Sequence, residues 1–365
     1  MKIQEVIDFL EGWAPLQFQE PYDNSGLLVG DSNLEITGVL VCLDSIEKII
    51  DEAIQRNCNM VIAHHPILFG GLKSITGKTY IERTIIKAIK NDIVIYAIHT
   101  NLDNIKTGVN QEIANRIGLV NQNILLNKKN MLSKVTVYVP IKHADEVRTA
   151  MFDAGAGHIS KYDQCSFNTE GIGTFRALVG TNPYIGEVGT QQKEPEVGIE
   201  VVVRNAGIRK LLNAVNLVHP YEEVAYDLVA LDNESPEVGS GIIGELKTPE
   251  QVLSFLKKIK TVFNSGVIKY TAANKNKKVK KVAVCGGSGS FLLSAAIAQN
   301  ADIFITADYK YHQFFDADSK IIIADIGHFE SEQYTTELIV QKLKEKFSTF
   351  AVHFTEVSTN PVNYL

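Results

Sequence analysis

The chain has 365 residues, 45% of them hydrophobic and 21% charged, with a formal net charge of -6. That is apolar material for two or three domains at about 100–200 residues each. The acidic balance excludes the broad basic surface that general nucleic-acid binding needs. The basic run "NKNKKVKK" (274–281) reads as a solvated loop. No stretch approaches the ~18 apolar residues of a membrane helix. "MKIQEVIDFLEGW", with Glu5, Asp8 and Glu11 among its apolar residues, is no signal peptide. Cys42, Cys58, Cys165 and Cys285 form no C-x-x-C pair, which fits buried thiols in a reducing cytoplasm.

In chain order, Ile3, Val6, Ile7 and Leu10 fall at helical spacing. "ITGVLVCLD" (36–44) reads as a buried strand. "SIEKIIDEAIQRN" (45–57) reads as a helix capped by Ser45, with Ile46, Ile49, Ile50 and Ile54 on one face. "NMVIA" is the next strand, "YIERTIIKAIKN" a helix, "DIVIYAIH" a strand and "GVNQEIANRIGL" a helix. Such alternation with short links predicts a mostly parallel sheet. The texture changes near "NQNILLNKKN" (121–130). From Lys134 a strand, a helix, Gly- and Thr-broken strands, a strand (197–203), a helix and a strand predict a ferredoxin-like unit. "DNESPEVGSG" (232–241) reads as its exit linker. The first texture then returns, ending in one predicted helix over "FESEQYTTELIVQKLKEK". The expected fold is thus a two-half α/β core with a mostly parallel sheet, residues 1–127 and 237–365, interrupted by an inserted α+β domain, residues 128–236.

In open α/β sheets, sites gather at the carboxyl ends of strands. Four such ends carry ligand-type residues: His64 and His65, His99 with Asp103, Asp308 with His312, and His328 with Glu332. If a helix starts at His328, Glu332 shares its face and Glu330 points away. Neighbouring side chains of a strand face opposite ways, so adjacent histidines suit two metal ions better than one. Asp103 and Glu332 add carboxylates able to bridge. Three neutral imidazoles and two carboxylates leave positive charge on two divalent ions, which favours hydroxide or an anionic substrate. The donor set suits zinc foremost, with iron, manganese or cobalt as other candidates. Each feature has a plainer reading beside this one: a strand-end histidine pair, an Asp N-cap, a turn. His219 in "HPYEE" reads as a turn or rim residue. "CGGSGSF" (285–291) reads either as a tight turn or as a lining for a phosphate or metal pocket.

"YDNSGLLVG" (22–30), "AHHPILF" (63–69), "HTNLD" (99–103), "GGSGSF" (286–291), "TADYKYH" (306–312) and "GHFESE" (327–332) occur in the order seen in the NIF-three-like family, the GTP cyclohydrolase 1 type 2 homologues, which the chain resembles. The insert, with "HPYEEVAYD" (219–227), resembles the PII/CutA-like domain of the longer bacterial members. The resemblance implies a two-metal site at His64, His65, Asp103, His328 and Glu332, and a toroidal homohexamer with its metal sites facing an internal cavity. One expectation is a metal-dependent hydrolase acting on a nucleotide or a related cyclic amide-like substrate, with His99 or His312 moving protons. A non-catalytic, metal-binding regulatory assembly with a sensing insert is the other expectation.

Overall fold

The alternating stretches at the two ends of the chain build two sheets, where their shared texture suggested one. The protein is described by a computed structural model covering residues 1–272 and 277–365. It is a mixed α/β structure of two compact units. One comprises Met1–Leu126 with Glu237–Leu365, the other Asn127–Pro236.

In the first unit, one sheet has the spatial order Gly26–Val29, Val94–Ala97, Met60–Ala63, Gly38–Cys42, Ala351–Phe354. Its last four strands are mutually parallel and Gly26–Val29 is antiparallel. The three central strands are buried along their whole length, as expected for parallel strands covered on both faces. One face packs Leu40, Val61 and Ile95 against Ile49, Ile50, Ile85 and Ala88. Each of these buried Leu, Val and Ile side chains contributes roughly 1.5–3 kcal/mol over an exposed one. The helix Glu47–Gln55 is entered through Ile46 with no side-chain cap, so Ser45 does not cap it; Ile54 is exposed.

The second sheet of this unit runs Lys269–Tyr270, Ile322–Asp325, Ile303–Ala307, Lys278–Ser288, Gly239–Gln251, Leu119–Asn127. Its three core strands are parallel, with antiparallel neighbours on each side. Lys278–Lys281, read as loop, open the strand Lys278–Ser288; residues 274–276 of that basic run lie outside the described residues. The single helix predicted near the C-terminus is two, His328–Glu332 and Thr335–Lys346. Gly239 already begins a strand, so the exit linker is shorter than expected.

Register decides where function can sit. Cys42, Ala63 and Ala97 are aligned partners, so three strands of the first sheet finish at one level. In the second, Thr306 is paired with Asp325, and Ser288 with Ala307. The residues just past these ends therefore gather at two short edges.

The second unit has the element order strand, helix, strand, strand, helix, strand. Its sheet order is Phe167–Arg176, Gln191–Arg204, Leu132–Pro140, Tyr226–Leu231, all antiparallel. This is the ferredoxin-like connectivity. Val135, Val137, Val139, Ile199 and Val201 face the helices Ala144–Asp153 and Ile208–Val218 across one apolar core.

Candidate metal centre

Strand Met60–Ala63 stops where Pro66 forbids a regular continuation. The ladder nevertheless holds its two following residues: the His64 amide donates to the Cys42 carbonyl at 3.0 Å and the His65 amide to that of Leu43 at 2.8 Å. The two imidazoles therefore sit on a fixed backbone, their ring centroids 4.9 Å apart. His99 lies two residues past the neighbouring strand Val94–Ala97, and its ring lies 5.3 Å from that of His64. His328 opens the helix His328–Glu332 after Gly327, whose φ of 97° turns the chain there. Glu332 lies one turn on and faces the same way, whereas Glu330 is within 3.4 Å of the Asn360 amide.

Each of the four imidazoles is tethered by Nδ1. His64 donates to the Ile98 carbonyl at 2.9 Å. His65 bonds Asp44 at 2.8 Å, His99 bonds Asp23 at 2.7 Å, and His328 bonds Asp308 at 2.7 Å. Such outer partners fix ring orientation and leave Nε2 for a metal. The Nε2 atoms of His65 and His328 are 3.3 Å apart, and Glu332 Oε2 lies 2.9 Å from the first and 3.1 Å from the second. Glu332 Oε1 is 3.9 Å from His64 Nε2, and Asp103 Oδ1 is 3.7 Å from it. Two groups emerge, His64 with His65 and His99, and His65 with His328 and Glu332, each with its ligand atoms within 4.8 Å of one another.

The donor set fits divalent ions on an internal test. His64 is fully buried and its Nδ1–H is spent on a carbonyl, so a neutral ring presents a bare lone pair at Nε2. It faces Asp103 Oδ1, and neither atom has a hydrogen-bond partner. Two acceptors facing each other in a buried place are costly; a cation satisfies both.

Electrostatics agree. Burial works against it, but His65 and Thr359 hold Asp44 below the usual carboxylate range. Asp23 lies far below that range; burial opposes this, and His99 and Thr100 outweigh it. The His328 bond also holds Asp308 low. Glu332 is well below its usual value despite burial, through His328. Burial and the Glu332 charge push Asp103 up. Burial alone would lower His65, but Asp44 and Glu332 push it up to about 10. The Glu332 charge, with Asp308 behind it, pushes His328 up to about 11.

The sign of the pH effect follows. In the metal-free chain these two raised imidazoles contribute stability below their ordinary value, lost as pH rises through about 10 and 11. A metal must displace their protons. Loading at neutral pH should therefore release about two protons per chain, and affinity should climb with pH. Calorimetric titration in two buffers of unlike ionisation heat counts them; no proton release would mean that these rings are not ligands.

The site opens into a cavity of about 1180 Å³ whose walls include Tyr22, Phe69, Phe291, Cys285 and Gly286. All five residues expected to hold metal, His64, His65, Asp103, His328 and Glu332, are brought together, and so is His99. His312 is not: it is exposed on the turn Tyr311–Ala317, its ring 6.4 Å from that of Phe315. Its expected partner Asp308 serves His328 instead. Sequence reasoning missed Asp44 and Asp23. Asp44 lies two residues beyond the strand Gly38–Cys42, so the strand-end rule already pointed to it.

A family model described as Duf34/NIF3 (NGG1p interacting factor 3) matches residues 1–361. The chain belongs to the Duf34/NIF3 family. A Halalkalibacterium halodurans protein named GTP cyclohydrolase 1 type 2 homolog is 39% identical over 367 residues, covering 99% of this chain and 98% of that relative. A Bacillus subtilis protein of the same name is 36% identical over 368 residues, again covering 99% and 98%. A crystal structure of a Bacillus cereus protein related to NIF3 superposes with a TM-score of 0.86 at 36% identity, over 100% of this chain and 99% of that one. The Duf34/NIF3 fold thus extends over both units. Among the described residues no helix is long and apolar enough to cross a membrane.

Proposed function

We propose that the protein is a metal-dependent hydrolase holding two divalent ions per chain, acting on a nucleotide or related cyclic amide-like substrate. The observation that carries this reading is the convergence of four Nδ1-tethered imidazoles with Asp103 and Glu332. His64, His65, Asp103, His328 and Glu332 would hold the ions, zinc foremost. Bound there, divalent ions supply positive charge that polarises a substrate oxygen and acidifies water. His99 contributes a proton-carrying ring: Asp23 orients its Nδ1 and Phe69 stands 5.8 Å from it, centroid to centroid. Asp44 and Asp308 hold His65 and His328 in register. The relatives' name supports a GTP-like substrate.

The ferredoxin-like topology supports reading residues 128–236 as a separable PII/CutA-like insert. The family resemblance supports a toroidal homohexamer, and the free cysteines fit a reducing cytoplasm. Release of formate from GTP tests the reading. Metal-loaded protein should release it, and His65→Ala should abolish release while the fold survives. His99→Ala should keep the metals and slow turnover by ~10²–10⁴-fold, the scale of a lost general acid or base; loss of an ion instead would make His99 a ligand beside His64 and His65. No release at any metal loading would favour a non-catalytic, regulatory metal-binding assembly.

A further inference from the structure

The chain stays with the metal centre after the strand Ala351–Phe354. The Thr355 amide still donates to the Val41 carbonyl at 2.9 Å. The Thr355 hydroxyl and the Glu356 amide are received by the buried carboxylate of Glu52, the amide at 3.0 Å. Val357 packs against the core of the first sheet. The segment so anchored then runs along the cavity of the metal site, where Thr359, Asn360, Pro361, Val362 and Tyr364 form part of the wall. Its far end rests on Gly266, at which an added Cβ would lie 2.3 Å from the Tyr364 ring.

Two adjacent residues of this segment reach the surroundings of His65 and His328, the imidazoles that share Glu332. Thr359 Oγ1 donates to Asp44 Oδ2 at 2.7 Å, and Asp44 Oδ1 holds His65 Nδ1 at 2.8 Å. Asn360 Nδ2 donates to Glu330 Oε1 at 3.4 Å, on the helix that carries His328 and Glu332. The Thr359 bond matters more, because Asp44 is otherwise loosely held. The torsion that turns an aspartate carboxylate is broad and roughly two-fold, so one bond on one oxygen does not fix it. The Asp44 side chain is 37% exposed, and among the described residues its carboxylate receives hydrogen bonds from His65 and Thr359 alone. Asp23, which serves His99, is different. Its side chain is fully buried, and it also receives the Asn24 and Thr100 amides at 2.7 and 3.0 Å.

We propose that Thr359 is a positioning residue of the metal centre, acting through Asp44 to aim the His65 ring. His65 belongs to both ligand groups, so its direction bears on both. Without the hydroxyl, Asp44 Oδ2 turns to water, the carboxylate swings, and the His65 Nε2 lone pair loses its fixed aim. This role rests on the metal-binding reading of the site and holds whether or not the site hydrolyses a substrate.

Cobalt(II) titration of the full chain tests this, read as affinity and as the visible absorption that follows ligand geometry. Thr359→Val, close in shape but without the hydroxyl, should weaken cobalt uptake about tenfold, the low end of the ~10–100-fold lost with an outer partner. It should also shift the visible bands, and Thr359→Ser should restore both. Asp44→Ala should lose at least as much as Thr359→Val. Adding Thr359→Val to it should cost nothing further, since residues of one hydrogen-bond network are not additive. Thr355→Val removes a hydroxyl of the same segment that bonds Glu52 instead of Asp44. It should lower the melting temperature and leave cobalt affinity unchanged. Parent-like affinity and bands in Thr359→Val, no recovery in Thr359→Ser, or additive losses in the double variant would overturn the proposal. So would an equal loss in Thr355→Val, which would make the segment a general brace. Should Asp44→Ala fail to fold, the serine and Thr355→Val arms decide alone. A parent chain that takes up no cobalt would instead remove the metal-binding reading, and this role with it.

Discussion

Glu332→Ala should cost the protein more than one metal ion per chain. Its two oxygens address different partners: Oε2 is within 3.1 Å of both His65 and His328, and Oε1 faces His64 at 3.9 Å. Removing it takes the carboxylate from one ligand group and a neighbour from the other. The side chain is 3% exposed, so water does not already share its role. In the metal-free chain its loss also lets His65 and His328 fall back toward the ordinary imidazole range, since its charge helps to raise both. Elemental analysis of Glu332→Ala beside the parent chain decides the matter. Unchanged stoichiometry would take Glu332 out of the centre. Loss of a single ion would make it a terminal ligand instead of a bridge.

How much of this was legible follows from which signals are local. The run Met60–Ala63 followed by two histidines and Pro66 marks a strand end by itself, and the four-residue spacing of His328 and Glu332 marks a helix face. Both features survive in the structure because they depend on periodicity alone. The number of sheets does not: alternation is the same whether two halves share one sheet or build two. The break between His328–Glu332 and Thr335–Lys346 was hidden because nothing in "FESEQYTTEL" forbids a helix. Ile54 was placed inside by spacing, but the helix Glu47–Gln55 buries a narrower face through Ile49, Ile50 and Ala53. His312 looked like a strand-end ligand because it follows Asp308 closely; the turn from Tyr311 carries it outward. Asp23 joins His99 across 76 residues of chain, a pairing that no single-sequence pattern reports.

Gly287→Ala should damage the metal centre more than it damages the fold. The residue sits in "GGSGSF", for which the sequence left open a tight turn or a pocket lining; it lies near the end of the strand Lys278–Ser288, and its neighbours Gly286 and Ser288 line the cavity of the metal site. Its φ of 60° is left-handed, so a side chain there costs about 1–2 kcal/mol. The added Cβ would stand 2.4 Å from Glu332 Oε1 and 3.2 Å from His328 Cε1. The backbone cannot easily retreat, because the Gly287 amide donates to Ser331 Oγ at 3.0 Å and its carbonyl accepts Thr306 Oγ1 at 3.0 Å. The displacement therefore falls on the carboxylate between the two ligand groups and on the ring beside it. Shifts of outer support alone lower metal affinity by ~10–100-fold, and a shifted ligand should cost at least about that much. Gly286→Ala makes a useful comparison, since the nearest atoms to its Cβ would be apolar methyls of Ile113 and Val109 at 3.1 Å and Glu332 Cγ at 3.3 Å, none of them a ligand atom. Metal titration and thermal melting of both variants, with metal removed for the melts, separate the effects. A Gly287→Ala chain that melts lower but binds metal like the parent would leave the glycine as a requirement of the left-handed backbone with no part in shaping the site.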